Sequence, residues 1–253
     1  MALHITTIPC LSDNYAFLAV CSNTGVTALI DAPEAKPIKA ELERQGLSVD
    51  VILLTHHHWD HIAGLDELNA DADILGAQAD VHRLPKLDRA LEDGDTFKIG
   101  TSDVAVLNVS GHTIGHIAFH VPGSDAVFTG DSLMALGCGR LTEGTPEMMW
   151  ESLQKLAALP PETRVYSGHE YTVSNGNFAK TVDPNNKALD ARMNETLRLR
   201  GSNLPTVPSL LSLEHATNPF LRATSDDVKS HLGMQGASDV ATFAEIRARK
   251  DAF

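Results

Sequence analysis

Val51-Ile52-Leu53-Leu54-Thr55-His56-His57-His58-Trp59-Asp60-His61 decides how the chain is read. The first four residues form a short aliphatic run, the pattern of a strand buried on both faces of a sheet. Directly behind it, within six residues, stand four histidines and an aspartate. Folding alone gives no reason for such a cluster, because neighbouring imidazoles and a carboxylate are costly to desolvate without a partner. A divalent cation removes that cost, since neutral imidazole and carboxylate are its natural ligands. The stretch therefore predicts a metal site at the end of a buried strand. If the strand period persists, His56, His58 and Asp60 share one side of the chain, His57 faces the other way, and His61 requires the backbone to turn.

Three more polar residues occupy the same kind of place. His112 lies in Ser110-Gly111-His112-Thr113, Asp131 in Thr129-Gly130-Asp131-Ser132 and His169 in Ser167-Gly168-His169-Glu170, each just past an apolar run. A glycine precedes each, which lets the backbone turn so that a short side chain reaches inward. Loops at strand ends, held by a rigid sheet, are where α/β proteins build sites. His56, His58, Asp60, His61, His112, Asp131 and His169 exceed the roughly four ligands one ion takes. A carboxylate can bridge, so two ions roughly 3.5–4 Å apart are the natural reading.

The rest of the chain supplies the frame. Strand-like runs at Leu3–Ile8, Tyr15–Cys21 and Val26–Ile30 precede a helix from Pro33 to Arg44, with Gly46 as its stop. A short helix is expected from Ile62 to Asn69. Asp73–Gly76, Phe97–Ile99, Val104–Val109, Ile117–Val121 and Ala126–Thr129 are further strands. Gln78–Glu92 is ambiguous. A helix over Thr145–Leu159 and a strand over Arg164–Tyr166 follow. After Tyr171 only helices are convincing, at Val173–Val182, Asn186–Leu199, Asp226–Leu232 and Asp239–Arg249. This order predicts an α/β (α+β) metal-binding domain over residues 1–172 and a small all-helical domain over 173–253.

Bulk properties exclude some partners. With 43% hydrophobic and 21% charged residues the chain is ordinary globular protein. A net charge of −13 disfavours nucleic acid. Residues 1–172 carry a net −14 and residues 173–253 a net +1, so an anionic ligand finds its cations mostly at the back. Cys10, Cys21 and Cys138 are too few and too irregular for a disulfide framework or a thiolate metal site. No signal peptide and no membrane-length apolar run is visible, so a reduced, cytoplasmic monomer is expected.

The seven residues, His-x-His-x-Asp-His followed by a distant His, Asp and His, resemble the metallo-β-lactamase superfamily. Closer still is a resemblance to the glyoxalase II (hydroxyacylglutathione hydrolase) family. It is carried by Thr55–His61, Gly137-Cys138-Gly139-Arg140, Glu143-Gly144-Thr145, Gly168-His169-Glu170-Tyr171, Asn218-Pro219-Phe220 and the terminal Lys250-Asp251-Ala252-Phe253. It spans essentially the whole chain and implies an αββα sandwich followed by a small all-helical C-terminal domain.

The resemblance assigns His56, His58 and His112 to a first metal and Asp60, His61 and His169 to a second, with Asp131 bridging them together with a water or hydroxide. Zinc is the expected metal, with iron or manganese as alternatives. Asp60 and Asp131 are the carboxylates given a catalytic role. Arg140, Tyr171, Arg247 and Lys250 become the contacts to a glutathione thioester. Family members often carry an aromatic residue two positions after the motif cation; here that residue is Thr142, which puts one such contact in doubt. The implied reaction is hydrolysis of S-(2-hydroxyacyl)glutathione. Competing readings are a mononuclear-iron glutathione persulfide dioxygenase and a non-catalytic binding protein on the same fold. No Gly-x-Ser-x-Gly elbow offers a serine nucleophile. Cys138 reads as a buried structural thiol, Asp31 as a turn cap, and His57 and His116 as supporting histidines.

Overall fold

A computed structural model describes residues 2–253, which divide into two compact units. The first runs to Asn108 and resumes over Ile114–Gly130; the second comprises Val109–Thr113 and Asp131–Phe253.

In the first unit, β1 (Leu3–Cys10), β2 (Asn14–Cys21) and β3 (Thr27–Ile30) form an antiparallel meander. The helix α1 (Ala35–Gln45) then crosses over, so that β4 (Val51–Leu53) lies parallel to β3, pairing Leu29 with Ile52. Two short helices, α2 (Trp59–Ile62) and α3 (Leu65–Leu68), lead to β5 (Asp73–Ala77), parallel to β4, and β6 (Arg89–Leu91), parallel to β5. Burial explains the parallel centre: all four residues of β3 are buried, and Ile52 to Leu54 are too. Ile8, Leu18, Leu29, Ile38, Ile52 and Leu54 belong to the core beneath α1. Gly46 closes α1 in the left-handed conformation (φ 66°), as the sequence predicts. The remaining strands, β7 (Thr96–Ile99), β8 (Ser102–Asn108), β9 (Ile117–Val121) and β10 (Ala126–Gly130), make a second antiparallel meander.

The second unit opens with a two-stranded hairpin, β11 (Leu133–Met134) and β12 (Gly137–Cys138), whose turn holds Leu136 at φ 58°. Thr145 caps α4 (Pro146–Ala157), its hydroxyl accepting from the Met148 amide. β13 (Arg164–Ser167) pairs antiparallel with β14 (Ser209–Leu210). The helices α5 (Thr172–Val182), α6 (Lys187–Gly201), α7 (Leu211–Thr217), α8 (Asp226–Leu232) and α9 (Asp239–Ala252) complete the unit. Phe178, Phe220 and Phe243 are fully buried among them.

The buried carboxylate of Glu214 on α7 accepts from the amide of Leu136, Arg192, Ser209 and Asn218. It thereby pins the β11–β12 turn to α6, α7 and β14.

Two sequence expectations differ from the structure. The helix expected over Ile62–Asn69 is two separate turns, the first beginning at Trp59. The region after Tyr171 contains one short strand, β14, and a helix, α7, that the sequence left as loop. Among the described residues no helix is long and apolar enough to cross a membrane.

Candidate metal centre

In the first unit, four of the seven candidate ligands follow β4. Leu54 still pairs with β5 through Leu75, and Thr55, His56 and His61 are buried. His58 is the N-cap of α2, so the strand alternation ends there and Asp60 and His61 are helical. The alternation expected to run on to Asp60 is therefore cut short. The helical turn, not a strand step, brings His61 round, and its ring lies 4.2 Å centre to centre from that of His56.

One buried carboxylate organises these histidines. Asp31, at the end of β3, is 3% exposed and holds a left-handed backbone at φ 56°. Its Oδ1 accepts from the Thr55 amide, and its Oδ2 accepts from the Thr55 hydroxyl and pairs with His61 Nδ1, each at 2.8 Å. Proton counting fixes two tautomers. His61 must donate from Nδ1 to the carboxylate. Thr55 has one hydroxyl proton, given to Asp31, so the 3.0 Å contact from Thr55 Oγ1 to His56 Nδ1 requires His56 to donate. Both rings then present Nε2 as a lone pair, the form a metal ligand needs. The turn-capping role that the sequence suggests for Asp31 is only part of what it does.

Asn14 Nδ2 donates to the Asp60 backbone carbonyl and to Asp60 Oδ2, both at 3.0 Å, which aims that carboxylate. His57 Nδ1 pairs at 2.9 Å with the fully buried Asp80, which Arg83 also engages. The His116 ring stacks on His56 at 4.6 Å. Both histidines are thus supports, as the sequence reading has them.

The second unit repeats the logic. Gly111 (φ 144°) has no room for a Cβ, which would lie 2.7 Å from that of Met149, and it delivers His112. His112 Nδ1 lies 2.7 Å from the carbonyl of Arg140, an acceptor only, so this ring too presents Nε2 as a lone pair. That Nε2 faces Asp131 Oδ2 at 3.5 Å, and His169 Nε2 faces the same oxygen at 3.3 Å. Two imidazole nitrogens converging on one carboxylate oxygen make a donor set of the kind a divalent cation takes. The donor set accordingly fits a divalent metal. His56, His58, Asp60 and His61 in the first unit, and His112, Asp131 and His169 in the second, are side chains of the kind that could hold a metal ion.

The expected substrate contacts all lie in the second unit. The Arg140 side chain is 72% exposed, with Nε 3.6 Å from Asp251. Tyr171 is exposed and stacks on His169 with ring centres 4.6 Å apart. Lys250 sits over the rings of Phe178 and Phe253, and burial, with nearby Arg247, holds its ammonium below the usual lysine range. Arg247 is buried: it donates to the Cys138 carbonyl at 3.0 Å and to Asp251 at 2.8 Å, and it covers Phe220. Burial also pushes the Cys138 thiol up to about 11, which suits packing and not nucleophilic attack.

The roles of Asn14, Asp80 and the Arg140 carbonyl were not read from the sequence. Asp80 left a faint signal as an acidic residue in a stretch with no clear element. The Arg140 carbonyl left none, because a main-chain oxygen carries no sequence mark, and Asn14 read only as part of a turn.

Comparison with known proteins agrees with this geometry. The family model described as Metallo-beta-lactamase superfamily matches residues 14–169, and Hydroxyacylglutathione hydrolase C-terminus matches residues 170–253. The chain therefore belongs to the metallo-β-lactamase superfamily, with that superfamily's fold followed by a helical C-terminal region. It is 61% identical to a hydroxyacylglutathione hydrolase of Ruegeria pomeroyi over 100% of both chains, which places it in the hydroxyacylglutathione hydrolase family. Among solved structures it is similar to the BLEG-1 B3 metallo-beta-lactamase (TM-score 0.66, 21% identity, 86% of this chain and 99% of that one). It is also similar to TTHA1623 in a di-iron-bound form (TM-score 0.56, 32% identity, 66% and 91%).

Proposed function

We propose that the protein is a metal-dependent thioesterase that hydrolyses S-(2-hydroxyacyl)glutathione, typically S-D-lactoylglutathione, to glutathione and a 2-hydroxy acid, the second step of methylglyoxal detoxification. The observation that carries this reading is the full-length identity with hydroxyacylglutathione hydrolases, joined to a ligand set whose tautomers suit metal binding. On this reading His56, His58 and His112 would hold one divalent ion and Asp60, His61 and His169 a second, with Asp131 as the carboxylate available to both. The zinc reading is preferred, with iron or manganese as alternatives; the di-iron relative favours two ions over one. Residues 1–172 form the metal-binding part and residues 173–253 the glutathione-binding part.

When bound, two divalent ions supply an activated water at neutral pH and a counter-charge for the thioester carbonyl oxygen. The protein's own residues prepare for that. Asp31 and Thr55 keep His56 and His61 in the acceptor tautomer, the Arg140 carbonyl does the same for His112, and Asn14 orients Asp60. Asp60 and Asp131 are the carboxylates nearest the chemistry. A thiolate leaves without strong acid assistance, so no general acid is assigned.

Glutathione brings two carboxylates and one ammonium, which Arg140, Lys250 and Arg247 answer with cations and Tyr171 with a hydroxyl. The three cysteines are free and buried, which supports a reducing compartment, and the chain is assigned to the cytoplasm as a monomer. The test follows loss of the thioester absorbance of S-D-lactoylglutathione, with oxygen uptake on glutathione persulfide as the rival assay. Thioester turnover with no oxygen uptake supports the proposal; oxygen uptake with one iron per chain replaces it by a persulfide dioxygenase.

A further inference from the structure

Thr142 follows Gly137-Cys138-Gly139-Arg140 by two residues, and its hydrogen bonds tie it to a candidate ligand. Its hydroxyl donates a hydrogen bond to the backbone carbonyl of His112. Its amide donates to the Arg140 carbonyl at 3.1 Å, the same oxygen that receives the proton of His112 Nδ1 at 2.7 Å. The segment from Arg140 to Thr142 thus grips His112 twice, once by its ring and once by its main chain, and Thr142 links the two grips.

Neighbouring contacts hold both strands of this clasp in place. Gly144 donates to the Gly111 carbonyl at 3.1 Å, and Ser152 donates to the Ser110 carbonyl at 2.6 Å. At Gly139 a Cβ would fall 2.0 Å from the Asp131 carbonyl and 3.1 Å from His112 Cβ, so the segment lies flush against both candidate ligands. An aromatic ring at position 142 has no hydroxyl on its Cβ and cannot make the bond to His112.

We infer that Thr142 is a positioning residue that latches His112 in its metal-binding orientation. The inference rests on His112 being a ligand. Loss of a partner that orients a ligand typically costs about 10–100-fold in metal affinity, and Thr142 acts one bond further out, so about tenfold is expected.

The experiment uses metal-free full-length protein and titrates Zn2+ against a chromophoric chelator for wild type, T142V, T142S and H112A. The tautomer of His112 is read by 15N NMR before any metal is added, and kcat and KM are measured after loading. T142V should bind Zn2+ about tenfold more weakly, mix the tautomers of His112, and lose kcat at little-changed KM. T142S, which keeps the hydroxyl, should restore all three. Wild-type Zn2+ affinity and a single His112 tautomer in T142V would overturn the latch, as would a T142V defect confined to KM. Failure of the wild type itself to bind Zn2+, or equal binding by H112A, would instead overturn the metal reading on which the latch rests.

Discussion

Asp31→Asn is the sharpest perturbation of the site because it changes the hydrogen-bond chemistry and little else. Asparagine tolerates the left-handed backbone that Asp31 adopts at φ 56°, whereas most residues would add strain. The native carboxylate accepts three hydrogen bonds of 2.8 Å. An asparagine offers one acceptor oxygen and one amide donor group. If its oxygen keeps the Thr55 amide, its NH2 meets Thr55 Oγ1 and His61 Nδ1. His61 must then accept at Nδ1 and carry its proton on Nε2. Thr55, no longer giving its proton to Asp31, can donate to His56 Nδ1, which turns that ring over as well. Two ligands are thereby pushed into the tautomer that cannot bind metal. The expected loss in Zn2+ affinity is about 10–100-fold, or about 1.4–2.8 kcal/mol. The metal-free protein should lose about 1–3 kcal/mol because neutral hydrogen bonds replace those to a buried carboxylate. Chelator competition measures the first and urea denaturation of the metal-free protein the second. D31N with wild-type Zn2+ affinity would refute the tautomer argument.

The buried Arg192–Glu214 pair should be expensive to break: Glu214→Ala leaves a buried guanidinium uncompensated and should cost about 3–5 kcal/mol by denaturant titration. Gly139→Ala drives a methyl against the Asp131 carbonyl and should destabilise by about 1–3 kcal/mol, with Zn2+ binding weakened in the same protein. The raised Cys138 thiol makes a pH prediction. The unfolded chain releases this proton near 9 and the folded chain near 11, so stability should be fully present below pH 9 and fall as pH rises toward 11. Cys138→Ser, compared by thermal melts across that window, should flatten the fall.

How much of this was legible beforehand differs by residue. The seven candidate ligands could be read because each follows an apolar run, and three follow a glycine, both of which are local marks. The sheet-then-helix order was equally plain from runs such as Val51–Leu54 and from the change after Tyr171. The β11–β12 turn was invisible, since two strands of two residues leave no period, and its stability comes from Glu214, far along the chain. Asp31 looked like a turn cap because its partner His61 is brought to it by the start of α2 at Trp59, a boundary that the histidine spacing hides. Arg247 was expected as a contact to the glutathione thioester, and no local mark showed that tertiary packing would bury it against Cys138. What escaped the sequence was mostly the grip of main-chain atoms on the ligands.

The proposed function requires these side chains to bind two divalent ions and the loaded protein to hydrolyse a glutathione thioester. Its most direct test is the rate of S-D-lactoylglutathione hydrolysis by metal-free protein as Zn2+ is added stepwise. No rate is expected without metal, and the rate should rise and level off at two equivalents per chain. A full rate in the metal-free protein, or none at any Zn2+ level in protein shown to have bound it, would contradict it.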